Sequence, residues 1–533
     1  TQHMTLKRFV LSAMTLLVVW VMSASLISSF DEPQVGNQLQ LYQTDLMVQA
    51  SEWDGSGLPE AEVVQFRSAV FGKDALESAT EQYQEVRKDA ATGLARLQQQ
   101  IDSVDGLSDE RTRGRRQELA ATAQAQQALI DQIDLRLGVV ATQRENVDQA
   151  LTTWENLAER SSKDAIAANT LANLWRTPPI IRPETDSIIN TQLKGWFRYI
   201  ALSRLYTLEE KIEPLTQLQT EETRIAERTL IQLSIVGLLP SLGGLLGSAL
   251  LIALVGQRVL RGKDSLLALQ TGAWEVPWNW ETVWLVIVGG FLFTGQIVLP
   301  LVLQVGLIAT NSISADAVSL GPTGFSDAGF ASTGLILGFS SRGKALYSLV
   351  FYLLMAASTL GVLYVAIKEY LPLSKDWFRV SLTGRWPLWG FGSYLVALPL
   401  MLGISLVNQQ IWQGQGGNNP ILQLVLEERD PIALSMFLFT AAVAAPIFEE
   451  VLFRGFLLPS LTRYMPTWGA IGLSSLIFSV AHLSFSEVLP LTVLGVILGF
   501  VYARSRNLTA SILLHSTWNS VTMVGLFLLG NGA

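Results

Sequence analysis

Long apolar runs separated by short polar connections dominate this chain outside one polar region. Each of the longer runs can cross the roughly 30 Å hydrocarbon layer of a bilayer as a helix. The pattern predicts about nine spanning helices, near residues 10–28, 230–254, 283–308, 345–367, 389–407, 432–458, 468–481, 488–502 and 508–529. We therefore expect an all-α, polytopic helical membrane protein.

The first apolar run follows Lys7 and Arg8 and has two interpretations. It is either a cleaved signal peptide or an uncleaved signal anchor. The run is longer than a typical signal-peptide core, and no convincing small-x-small cleavage site follows it. We expect residues 1–30 to remain as a signal anchor and first span.

Basic residues fall in alternate connections between the predicted spans, as the positive-inside rule requires. One side holds Lys7, Arg8, Arg258, Arg261, Lys263, Lys368, Lys375, Arg379, Arg385, Arg463, Arg504 and Arg506. The acidic stretch 413–430 falls on the opposite side. This alternation predicts a cytoplasmic amino terminus, with residues 31–228 and the carboxyl terminus outside the cytoplasm.

The polar, Gln-rich region 31–228 contains two series of apolar residues with heptad spacing. The series are Leu76, Ala79, Tyr83, Val86, Ala90 and Leu97, then Ile130, Ile133, Leu137, Val140, Val147, Leu151 and Trp154. Asp105-Gly106 supplies a turn signal between them. The pattern predicts an exported, coiled-coil-like helical hairpin, either an interaction arm for a protein partner or a plain bundle. The remaining chain divides into spans and connecting loops at 229–431 and a membrane core at 432–533.

The amino-acid composition excludes several classes of function. The chain has 533 residues, 49% of them hydrophobic, and a formal net charge of -8. It shows no basic stripe, so we expect no nucleic-acid partner. The absence of cysteine excludes thiol catalysis and thiolate metal sites. A tryptophan cluster before one apolar run, Trp274, Trp278, Trp280 and Trp284, is typical of side chains at headgroup depth.

Three polar motifs with helical spacing lie inside the last apolar fifth of the chain: Glu449-Glu450-x-x-x-Arg454, Phe478-x-x-x-His482 and His515-x-x-x-Asn519. A charge in hydrocarbon costs roughly 2.5–3.5 kcal/mol on insertion scales, so it needs a partner or a function. Residues four apart share a helix face, which pairs Glu450 with Arg454 and leaves Glu449 as an unpaired carboxyl suited to a general base. The alternative is that this cluster only marks the end of a span.

Together the motifs supply what amide hydrolysis requires: a base, an imidazole and hydrogen-bond donors for an oxyanion. Glu449 and His482 would hold and deprotonate a water, while His515 and Asn519 would donate to the oxyanion. Counting about 1.5 Å per residue places His482 deeper than His515, which straight spans would not bring together. A short connection near residues 484–486 would reconcile the two depths. We therefore predict an intramembrane endopeptidase.

The three motifs resemble those of the CPBP family of intramembrane proteases, which includes type II CAAX prenyl endopeptidases and Abi-like bacteriocin-processing and immunity proteins. The resemblance covers about Ala433 to Leu529. It implies a helical membrane domain with these polar residues lining a cavity, in which Glu450 and Arg454 fix the catalytic helix. It also implies a membrane-protein or lipidated-peptide substrate, met in membrane lipid.

Metal use stays open at this point. The family is often labelled metalloprotease, and Glu449, His482 and His515 would be the ligands of a divalent metal such as zinc, with Asn519 secondary. The zincin sequence H-E-x-x-H is absent, however. We expect no cofactor and a water activated by glutamate.

Two other classes of function compete with the protease. A non-catalytic membrane scaffold or assembly factor would keep the polar cluster for structure and use the exported helical hairpin to bind a partner. A transporter would need a continuous polar pathway, and the sequence shows no inverted repeat that favours one.

Overall fold

The computed structural model describes residues 5–30, 35–55, 59, 63, 74–104, 110–269, 272–309, 339–412, 416–417 and 420–532. The chain divides into two compact units. The membrane unit comprises Thr1–Glu32 and Pro240–Phe527, and the helical unit comprises Pro33–Leu239 and Leu528–Ala533. The domain boundaries predicted from the sequence stay predictions.

Helices are the regular elements of the described residues. In chain order they are α1 Leu6–Ser29, α2 Val35–Ser51, α3 Ala75–Val104, α4 Glu110–Gln143, α5 Val147–Ala158, α6 Ala165–Trp175, α7 Thr185–Gln192, α8 Gly195–Leu208, α9 Ile212–Leu233, α10 Leu239–Arg261, α11 Trp280–Trp284, α12 Leu299–Ala309, α13 Ser341–Ile367, α14 Trp386–Trp412, α15 Pro420–Glu427, α16 Pro431–Phe439, α17 Ala445–Glu449, α18 Leu458–Leu461, α19 Thr467–Val480, α20 Phe485–Ser505 and α21 Leu508–Gly532. Wider π-helical turns occupy Ser234–Leu238, Leu285–Val298, Thr440–Ala444 and Glu450–Leu457, and short 3₁₀ turns occupy Gly262–Asp264 and Lys368–Tyr370.

Eight described helical segments are long and apolar enough to cross a membrane. They are Leu6–Ile27, Ile212–Asp264, Trp280–Leu307, Ser341–Tyr370, Trp386–Trp412, Pro431–Leu461, Phe485–Ser505 and Leu508–Gly530. The apolar run predicted at 468–481 forms α19, which has only 14 residues and is shorter than a full span. The expected polytopic, all-helical membrane protein is confirmed, with eight long apolar helices and one short one.

Close approaches of helices at glycine hold the membrane unit together around its site. A Cβ on Gly295 would lie 2.9 Å from Met355 of α13, and one on Gly290 would lie 3.0 Å from Val362. Likewise, a Cβ on Gly495 of α20 would lie 2.8 Å from the Cβ of Ser475 in α19. Side chains larger than hydrogen at these points would push the helices apart.

Two of the four clustered tryptophans are buried inside the membrane unit. Trp274 and Trp278 are 5% and 0% exposed, and both belong to the apolar core of the membrane unit. The Trp278 ring lies 4.4 Å from that of Trp377, and its Nε1 donates to the Ser460 hydroxyl at 2.9 Å. Burial is possible because this polar N–H finds an acceptor. Trp280, by contrast, is 46% exposed.

In the helical unit, α3 packs along α4, as the two heptad series predict. Ala79, Tyr83 and Val86 of α3 are buried, as are Ile133 and Val140 of α4. The turn predicted at residues 105–106 lies outside the described residues. The packing establishes a helix pair within a larger helical core, while a coiled-coil supercoil stays a prediction.

The second heptad series does not continue on one helix. α4 ends at Gln143, and Glu145 has a φ of 60°, so the chain turns before α5 begins at Val147. Trp154 of α5 is fully buried and its Nε1 donates to the Leu135 carbonyl at 3.2 Å. The residues from Val147 onward thus pack back on α4 instead of extending the hairpin.

Candidate active site

The buried ion pair lies where the acidic motif leaves α17 for the π-helical turn Glu450–Leu457. Glu450 Oε1 accepts a hydrogen bond from Arg454 Nη1 at 2.7 Å, with side chains 0% and 1% exposed. Arg454 Nη2 also donates to the Gly495 carbonyl at 3.3 Å. π-helical turns are rare in proteins, but those that occur are often found at functional sites. This local geometry therefore marks the segment as a candidate site.

His515 of α21 joins this pair from a second helix. Its Nδ1 lies 3.0 Å from Glu450 Oε1, and the side chain is 4% exposed. A carboxylate is an acceptor only, so Nδ1 carries the proton and donates. The opposite ring nitrogen, Nε2, lies 3.8 Å from Glu449 Oε2, which is longer than a direct hydrogen bond. One imidazole therefore lies between the two glutamates.

Glu449 differs from its neighbour in exposure and in partners. Its side chain is 15% exposed, whereas that of Glu450 is 0% exposed. Glu449 Oε1 accepts a hydrogen bond from the Tyr352 hydroxyl at 2.9 Å. Sequence reasoning missed Tyr352, because it is one of three tyrosines on α13 and belongs to no spaced motif.

The Phe478 ring contacts side chains of all three motifs: Arg454, His482 and His515. The Arg454 guanidinium carbon lies 4.5 Å from the Phe478 ring centroid. The rings of His482 and His515 meet Phe478 edge to face, with centroids 5.0 and 6.0 Å away. The second motif therefore lies beside the first and third, as the endopeptidase hypothesis requires.

His482 and His515 both contact Phe478, although counting residues along straight spans places them apart, and the short helix α19 accounts for their approach. The helix ends at Val480, so His482 lies in the connection that precedes α20. Its Nδ1 donates to the Phe478 carbonyl at 2.9 Å, which leaves Nε2 as the acceptor of the ring. Leu483, with a φ of 58°, turns the chain at this point. Among the described residues, no direct hydrogen bond joins His482 to Glu449.

Asn519 lies one turn after His515 and contacts the helix that carries the glutamates. Its Nδ2 donates to the Ala441 carbonyl at 2.7 Å. Ala441 belongs to the π-helical turn Thr440–Ala444, directly before α17. The contact ties α21 to the segment that positions Glu449.

The proposed metal ligands do not form a metal site. Across the described part of the chain, no group of three or more His, Cys, Asp or Glu side chains is arranged to hold a metal ion. Glu449 and His515 approach each other, but among the described residues no hydrogen bond or ion pair joins His482 to either of them. A tetrahedral zinc site needs at least three protein ligands, and these three side chains are not grouped as one, so metal binding stays a prediction.

Comparisons with known proteins find membrane peptidases similar to the part of the chain that carries the motifs. A family model described as type II CAAX prenyl endopeptidase Rce1-like matches residues 431–521, which include all six polar motif residues. The chain is 24% identical to the putative membrane peptidase YdiL of Bacillus subtilis (strain 168) over 184 residues, covering 34% of this chain and 72% of YdiL. It is 26% identical to the membrane-embedded CAAX protease MroQ of Staphylococcus aureus (strain USA300) over 145 residues, covering 26% of this chain and 56% of MroQ.

A third relative, the UPF0177 protein YxdF of Lactococcus lactis subsp. lactis (strain IL1403), is 32% identical over 82 residues, covering 15% of this chain and 45% of YxdF. No solved structure matches the chain. These relatives indicate a helical membrane peptidase. The match of residues 431–521 to the Rce1-like model supports the resemblance to the CPBP intramembrane proteases seen in the motifs.

Proposed function

We propose that this protein is an intramembrane endopeptidase that hydrolyses a peptide bond of a membrane-associated protein with a water activated by Glu449. One observation carries the proposal. A partly exposed carboxylate, Glu449, lies 3.8 Å from an imidazole nitrogen of His515, beside a fully buried glutamate–arginine pair. Clustering of such groups from separate helices is typical of a hydrolytic site.

The two glutamates have separate tasks in this proposal. Glu450 Oε1 is shared between Arg454 and His515, so its charge is used to hold two other groups in place. Glu449 keeps one oxygen directed at His515 and retains partial exposure. A general base must lie within hydrogen-bond reach of the water that attacks the carbonyl carbon. Glu449 is the carboxylate that meets this requirement, because it is partly exposed.

The hydrogen bonds of the histidines assign their roles. His482 donates through Nδ1, so its Nε2 accepts a hydrogen bond from the attacking water, together with Glu449. His515 is held by Glu450 through Nδ1, and in its protonated form its Nε2–H donates to the oxyanion, with the Glu450 charge nearby. The second N–H of the Asn519 amide is the other oxyanion donor, since the first is bound to Ala441.

The hydrolytic step balances with these groups. The water oxygen bonds to the carbonyl carbon while its proton passes to the Glu449 carboxylate, and the carbonyl π electrons move to the oxygen. When this tetrahedral intermediate collapses, the carbon–nitrogen bond breaks. The proton on Glu449 then passes to the leaving amine, which regenerates the carboxylate. No metal takes part in this scheme.

The substrate class follows from the site's setting. The motif residues lie on apolar helices, so the cleaved bond belongs to a membrane protein or a lipidated peptide that reaches them through lipid or from the membrane surface. MroQ is named a CAAX protease, and a prenylated carboxyl-terminal peptide is one member of this class. We further propose that the helical unit lies outside the cytoplasm and recruits substrate or restricts its access.

Comparison of protein termini tests the proposal. Cells expressing the parent chain, Glu449→Gln or Glu487→Gln at equal abundance are analysed for amino termini of membrane proteins. Glu487 lies on α20 in the same unit, outside the site, so its variant should process like the parent. We expect a set of new amino termini to vanish only in Glu449→Gln. If the amino termini are the same in all three cell lines, the endopeptidase proposal is wrong and the scaffold interpretation is favoured.

A further inference from the structure

The hydroxyl of Tyr352 reaches the proposed general base from a helix that the family match does not include. Tyr352 lies on α13, and the matched residues begin at position 431. Its hydroxyl donates to Glu449 Oε1 at 2.9 Å. The tyrosine is 2% exposed, so this hydrogen bond is made out of water, where it is stronger than on the surface.

Packing against Phe448 fixes the Tyr352 ring beside the carboxylate. The two rings meet edge to face, with centroids 5.9 Å apart, and Phe448 directly precedes Glu449. Because Tyr352 and Phe448 are each 2% exposed, the Tyr352 hydroxyl has little freedom to leave the carboxylate.

The two oxygens of the Glu449 carboxylate therefore have different surroundings. Oε1 accepts from Tyr352, and Oε2 lies 3.8 Å from His515 Nε2. A carboxylate fixed at one oxygen cannot rotate freely about its terminal bond, so the other oxygen stays directed at the imidazole. Small losses of alignment at a reacting group cost large factors in rate.

We propose that Tyr352 is a positioning residue for peptide hydrolysis, which orients Glu449 so that Oε2 receives the proton of the attacking water. The inference rests on the proposed function. It makes α13 part of the active site, although α13 lies outside the family match.

Tyr352→Phe removes only the hydroxyl, and Tyr502→Phe is its matched control. Tyr502 is fully buried in the same unit, and among the described residues no hydrogen bond joins its hydroxyl to Glu449 or another motif residue. Both variants are expressed beside the parent and Glu449→Gln, and the Glu449-dependent amino termini are followed by pulse-chase labelling. We expect their rate of appearance to fall about tenfold in Tyr352→Phe, the size of one lost hydrogen bond to a charged group, and to stay at the parent value in Tyr502→Phe.

Two further measurements on the full chain in detergent distinguish a positioning role of Tyr352 from a purely structural one. With the substrate that the termini identify, a positioning role lowers kcat while KM and the thermal unfolding midpoint stay near those of Tyr502→Phe. A fall in activity that only follows a lower unfolding midpoint overturns the inference. Parent-like rates in Tyr352→Phe also overturn it but leave the proposed function intact, whereas termini that do not depend on Glu449 overturn both.

Discussion

Removal of Arg454 should expose the energetic cost of the buried Glu450 carboxylate. The guanidinium lies 2.7 Å from Glu450 Oε1, and the two side chains are 1% and 0% exposed. Arg454→Ala leaves this charge in a low-dielectric interior, where the remaining polar partners of the Glu450 carboxylate include His515 and Ser511. Breaking one side of such a pair costs about 3–5 kcal/mol of stability. We expect a loss of that size in denaturant unfolding of the full chain in mixed micelles.

A double variant separates the uncompensated charge from lost packing. Glu450→Gln combined with Arg454→Met removes both charges and keeps similar volumes, so it should recover most of the loss. Arg342→Ala is the control, because its 2.6 Å pair with Asp430 is exposed on the arginine side, so solvent screens it and its loss should change stability little. If Arg454→Ala costs no more than Arg342→Ala, or if the double variant is no more stable than Arg454→Ala, the reasoning is wrong.

Two further predictions concern packing and pH. Gly495→Ala should lose about 1–3 kcal/mol in the same unfolding assay, because its Cβ would lie 2.8 Å from Ser475, whereas Gly472→Ala has open space and should lose nothing. In the helical unit, burial raises the pKa of the Asp164 carboxyl above its ordinary value, so the ionised form is disfavoured in the folded state and stability falls as pH rises through that range. The unfolding midpoint of Asp164→Asn should therefore rise relative to that of the parent as pH increases above the ordinary carboxyl range, and a difference that does not change with pH would contradict this.

Helical spacing predicted much of the site, because the paired residues of each motif are four apart and lie within about one turn of each other. Glu450 meets Arg454 as the four-residue spacing requires, and the Phe478 ring touches His482 within its own motif. The convergence of the three motifs was also predictable. A polar group buried alone among apolar helices is costly, so such groups are expected to lie together.

The partners between helices could not be read from spacing. The sequence paired Glu449 with His482, yet the structure brings Glu449 nearest to His515 and Tyr352. These contacts depend on how α13 and α21 pack against α17, and that packing is set by glycines and aromatic side chains spread over the whole membrane unit.

Two other features depend on contacts and backbone conformation that the sequence pattern does not show. Trp278 belongs to a cluster before an apolar run, and an acceptor on Ser460 allows its indole to enter the protein core. The second heptad series has Arg144 at a core position, and a left-handed backbone conformation at Glu145 follows the end of its helix. Local sequence does not reveal such a turn at a residue other than glycine.

Isotope incorporation is the most direct test of glutamate-activated hydrolysis. The purified full chain in liposomes is incubated with its identified substrate in H₂¹⁸O, and the new carboxyl terminus is examined by mass spectrometry. The account predicts one ¹⁸O atom in that terminus with the parent chain and no cleavage product with Glu449→Gln. Product of equal yield from Glu449→Gln, or a terminus without ¹⁸O from the parent chain, would contradict it.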